Sequence, residues 1–64
     1  MSTDVAAVVA RLRADEETLS RLEVRYALEE IGKAAYLEAR GVLAGRVEAS
    51  RRTLAHQQSA GILA

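Results

Sequence analysis

The residues able to do chemistry are few, and their spacing does not assemble a site. His56 is the only histidine, and the chain has no cysteine. A histidine that acts as a base or holds a metal needs an orienting partner. One helical turn away on either side His56 has only Arg52 and Ala60, so its simplest role is that of a cation near a helix C-terminus. Ser20, Ser50 and Ser59 lack an adjacent base and the flanking glycines of a nucleophile elbow. The stretch Gly41-Val42-Leu43-Ala44-Gly45 lacks the Lys-Ser/Thr that completes a phosphate loop. Its two glycines either let another helix approach closely or lie on a face under no packing demand. Lys33, Arg46, Arg51 and Arg52 have the charge to touch phosphates. With no interleaved aromatics and no helix-turn-helix spacing, they read as a solvated cationic face. Catalytic residues, cofactors and metal ligands are therefore all assigned as none, and no direct DNA contact is expected from this segment.

The surrounding composition is that of a helical interaction element. Of 64 residues, half are hydrophobic, but 13 of those 32 are alanine, and proline, tryptophan and phenylalanine are absent. A core built from so few large side chains supplies little net stability, and no disulfide or thiolate metal site can reinforce it. Self-association, or membership of something larger, is expected. Formal net charge is zero, so no global field attracts nucleic acid. The longest uncharged run, residues 53–64, is far short of the roughly 20 apolar residues that cross a bilayer. The sequence opens Met-Ser-Thr-Asp, without the basic and apolar regions of a signal peptide. No membrane partner is expected, and the default location is cytoplasmic.

An all-α fold follows from abundant Ala, Leu, Glu and Arg. The spacing predicts a short helix within residues 1–14, capped by Ser2, Thr3 or Asp4 and carrying Val5, Val8, Val9 and Leu12 on one stripe. A second helix is expected to open with the acidic cap at Asp15-Glu16-Glu17-Thr18, with Leu19, Leu22 and Tyr26 as its seam. After a turn near 28–33, a third runs to about His56, with Tyr36, Leu43, Val47 and Leu54 on its stripe, completed by Ala39 and Ser50. Residues 57–64 are expected to form a fraying tail.

Charge selects the arrangement. Residues 15–30 hold six acids and two bases, while residues 33–52 hold five bases and two acids. An acidic helix joined to a basic one by a short turn favours an antiparallel coiled-coil hairpin over residues 15–56. Its expected core is Leu19, Leu22, Leu43 and Val47. The expected interaction tip is Tyr26, Leu28, Ile31 and Tyr36, because apolar residues beside an exposed reversal either close the core or await a partner.

These residues resemble a known motif. The segments Arg21-Leu22-Glu23-Val24-Arg25-Tyr26-Ala27, Glu30-Ile31-Gly32-Lys33-Ala34-Ala35-Tyr36-Leu37-Glu38-Ala39-Arg40 and Leu43-Ala44-Gly45-Arg46-Val47-Glu48 look like the coiled-coil motif of large serine recombinases, the phage integrases. The likeness covers roughly residues 5 to 55. Two departures stand out: Leu28-Glu29 where the family often has Asp-Gly, and Gly32 where it has a Ser/Thr cap. The resemblance implies a non-catalytic module whose coiled coil meets that of another subunit. It would thereby serve synapsis and direction control in site-specific recombination, with a recombination directionality factor as a further partner. The rival expectation is a free-standing helical homodimer, such as a phage or toxin–antitoxin regulator.

Overall fold

A computed structural model describes the backbone of residues 4–63 and the side chains of residues 4–57. It consists of two helices, α1 (Val5–Ala27) and α2 (Lys33–Leu63), packed antiparallel as an all-α hairpin with extents of 49 × 19 × 16 Å.

Helix α1 starts where the cap residues suggest. Asp4 is extended, and its carboxylate accepts from the backbone N–H groups of Ala6 and Ala7 at 3.1 and 3.3 Å, which satisfies donors that a helix start leaves free. The separate N-terminal helix expected before residue 15 is absent, because α1 runs unbroken through Arg13-Ala14-Asp15. No glycine or proline interrupts that joint, and both local capping groups are used elsewhere. Thr18 donates back to the carbonyl of Ala14 at 2.9 Å, a bond compatible with a helix interior. Asp15 faces the other helix. The fraying tail is corrected in the same way: α2 continues to Leu63, as alanine and glutamine permit and as a single Gly61 weakens without breaking.

The turn closes α1 as a Schellman cap. The N–H of Glu29 donates to the carbonyl of Tyr26 at 3.0 Å, and the N–H of Glu30 to that of Arg25 at 2.9 Å. That pattern needs one residue in the left-handed region, and Glu29 takes it with φ of 61°. Glycine is the usual occupant, because a Cβ is crowded there. Where such caps commonly add an apolar contact, Arg25 and Glu30 form an ion pair at 3.6 Å. Helix α2 then begins with Tyr36 N–H donating to the Gly32 carbonyl at 3.0 Å.

The core is a single seam. Val47 is its only buried apolar side chain among the described residues, and none is fully enclosed. Val8, Leu12, Leu19, Leu22, Leu43 and Leu54 are half-buried. Two helices can cover each other only along one stripe, so each apolar side chain keeps one flank in water.

Candidate interaction surface

Tyr26 near the end of α1 and Tyr36 in the first turns of α2 are each half-buried and stack, with ring centroids 4.2 Å apart and planes 8° from parallel. Stacked aromatic pairs contribute beyond the area they cover, and this one fixes the register just behind the turn. Leu22, one turn further in, is half-buried beside Ala39 and Leu43. Leu19 is half-buried beside Ala44 and buried Val47.

The residues at the reversal separate. Ile31 is half-buried, whereas Leu28 keeps 65% of its surface exposed. Among the described residues, three of the five large exposed apolar side chains, Val24, Leu28 and Leu37, lie within five residues of the turn. Apolar exposure among the described residues therefore gathers around the turn, where the Tyr26–Tyr36 stack holds the backbone in place.

Away from the tip, the seam is ionic. Asp15 is 4% exposed and receives Arg46 Nη2 on one carboxylate oxygen at 3.1 Å, while its Oδ2 has no hydrogen-bond partner among the described residues. Beside it Glu16 Oε2 accepts from Arg51 Nη2 at 2.9 Å. These are the two ion pairs that join the helices among the described residues. The remaining pairs, Glu17 with Arg21, Glu48 with Arg52 and Arg25 with Glu30, are local. Ser50, also buried, lines a shallow groove of about 240 Å³ with Val8, Arg11, Arg46, Ala49 and Thr53.

Sequence reasoning missed the position of Asp15. Its acidic neighbours suggest a helix cap, but it lies three residues after Leu12 and four before Leu19, the spacing of a seam position. Arg46, read as part of a solvated cationic face, is the partner that this position requires. Gly41 and Gly45 point outward, and a Cβ on either would meet nothing within 4 Å, so no close helix approach uses them within the hairpin. His56 is exposed, and among the described residues no three acidic or histidine side chains converge as a metal ion requires. No described helix is long and apolar enough to cross a membrane.

No family model matches the chain, and no curated protein or solved structure matches it significantly.

Proposed function

We propose that the hairpin is a protein–protein interaction module that associates with a second copy through its tip. The observation that carries this reading is the gathering of exposed apolar side chains among the described residues, led by Leu28, around a reversal braced by stacked tyrosines. Exposed apolar groups gathered on one end mark contact surfaces more often than scattered ones do. A thin seam with no fully enclosed side chain also leaves stability to be gained by association. The particular assignment, a coiled-coil module of a phage-type serine integrase serving synapsis and direction control, rests on the residue resemblance over roughly residues 5 to 55. A directionality factor would then compete for or redirect the same tip.

Leu28→Glu tests the tip. It places a third acid beside Glu29 and Glu30, removes exposed apolar area and keeps a good helix former. Helicity by circular dichroism is expected to persist while self-association by sedimentation weakens. In a full-length integrase parent, DNA binding would persist and joining of two attachment sites would fail. Loss of helicity in Leu28→Glu would make the tip ordinary core and refute the reading.

A further inference from the structure

We infer that the two helices also exchange between copies: the turn opens, and α1 of one molecule packs on α2 of a second in an extended antiparallel dimer. This shares with the tip reading only the identity of the partner, a second copy of this chain, and it arises from a different observation.

That observation is the phase of the seam. The α1 seam falls at positions 8, 12, 15, 19, 22 and 26, a strict alternation of four and three. Continued through the turn without slip, the same count lands on 29, 33, 36, 40, 43, 47, 50 and 54. Of the seven positions that fall within α2, the five at 36, 43, 47, 50 and 54 are buried or half-buried, and Lys33 and Arg40 are exposed. A hairpin makes no demand on phase across its turn, since each helix is free to present its stripe from its own side. A continuous helix does demand it, because a coiled coil needs one unbroken heptad.

The pairing levels agree. Starting from the observed Tyr26–Tyr36 stack, heptad steps outward place Leu19 opposite Leu43, and Leu12 opposite Ser50. The intervening levels set Asp15 opposite Val47 and Val8 opposite Leu54. These are all seam residues in the hairpin, and the one remaining level sets Leu22 opposite exposed Arg40, where half-buried Ala39 takes the seam place instead. One step inward places Glu29 opposite Lys33. Within a single hairpin that level is the turn itself, and both residues are exposed. In an exchanged dimer it lies beside the two-fold axis, and Glu29 of each copy meets Lys33 of the other, an unlike pair formed twice. The Asp15–Arg46 and Glu16–Arg51 contacts re-form between copies unchanged.

The hinge is built to open. Leu28, Glu29, Glu30 and Ile31 all tolerate a helix, and only Gly32 resists one. Glu29 meanwhile sits in the left-handed region, where a non-glycine residue is strained. Opening relieves that strain, and short strained hinges are the usual origin of exchange.

The test places spin labels at Ser20→Cys and Ala44→Cys, both exposed and both beside the same groove of the hairpin. The doubly labelled protein is diluted into unlabelled protein, so that only distances within one chain are read. A closed hairpin gives a short distance. An opened chain separates the labels by about 36 Å, at 1.5 Å per residue along a helix. The long distance is expected to grow with total protein concentration. Gly32→Ala, which meets open space, should raise the dimerisation constant by roughly thirtyfold, because two hinges change per dimer. Glu29→Gly should lower it comparably by relaxing the closed turn. A short distance at every concentration, with a dimer still present by sedimentation, would overturn the exchange and leave the tip contact standing. A short distance in a strict monomer would overturn both. A long-distance population undiminished by Leu28→Glu supports the exchange and removes the tip as the principal contact, because Leu28 lies off the continued seam.

Discussion

Replacing Asp15 with leucine is expected to stabilise the hairpin, although it removes one of the two ion pairs that join the helices. The carboxylate is almost enclosed, yet one of its oxygens has no partner among the described residues. An unsatisfied buried polar atom costs about 1–3 kcal/mol. A leucine at the same seam position would contribute about 1.5–3 kcal/mol of apolar burial, less about 1–2 kcal/mol where its branched end crowds Val47 or Ser50. Against this stands the pair with Arg46, whose side chain is 55% exposed. Solvent screening holds such a pair below about 1 kcal/mol. The balance is a gain of about 2 kcal/mol, equivalent to a rise of roughly 8–16 °C in Tm for a domain of this size. Arg46→Ala is expected to act in the opposite direction. It leaves a near-buried carboxylate without its one partner and should cost about 2 kcal/mol, less than for a fully enclosed pair because the Arg46 side chain is itself 55% exposed. Urea unfolding followed by circular dichroism, at one fixed protein concentration, measures both. A lower midpoint for Asp15→Leu together with a neutral Arg46→Ala would refute the assignment of Asp15 as a stability-limiting seam residue. The same leucine should also loosen register, since a polar seam residue excludes pairings that a leucine accepts. Sedimentation of Asp15→Leu is then expected to show larger or mixed assemblies.

Leu22→Ala should cost about 1–2 kcal/mol, below the range for an enclosed leucine, because Leu22 is only half-buried; a thermal melt unchanged from wild type would remove it from the seam. Asp4→Ala should cost about 1 kcal/mol through loss of the two N-cap bonds, read as fraying of the first turn by amide exchange, and unaltered protection of the Val5–Val8 amides would contradict the cap.

The hairpin is legible in the sequence because its determinants are local and periodic. The apolar stripes, the proline-free composition and the reversal of charge sign at residue 31 each point to two helices that fold back on each other. Other features were not legible, for a common reason. Whether Arg13-Ala14-Asp15 ends a helix depends on what Asp15 finds to bond, and its partner Arg46 lies 31 positions away in the chain. Acidic residues suit a helix start and a seam pair equally well by type, so only the facing helix decides. The turn behaves likewise. Nothing in Leu28-Glu29-Glu30 announces a left-handed residue, because glycine, the usual signal, is missing from that position. The closing hydrogen bonds impose the conformation on a residue that resists it.

Register in this molecule is held at two levels that work by different physics. Behind the turn it is set by contact between the faces of Tyr26 and Tyr36, which does not depend on salt. About three turns further along each helix it is set by Asp15 with Arg46 and Glu16 with Arg51. Of these two pairs, only the first has a near-buried member. A slip of α1 along α2 by one turn would separate the stacked rings and part the Asp15 carboxylate from Arg46, so the two levels reject the same error independently. The apolar side chains between them are half-buried leucines that would accept several registers. The thin seam supplies attraction, while the aromatic and ionic levels supply the alignment that a surface offered to a second copy must keep.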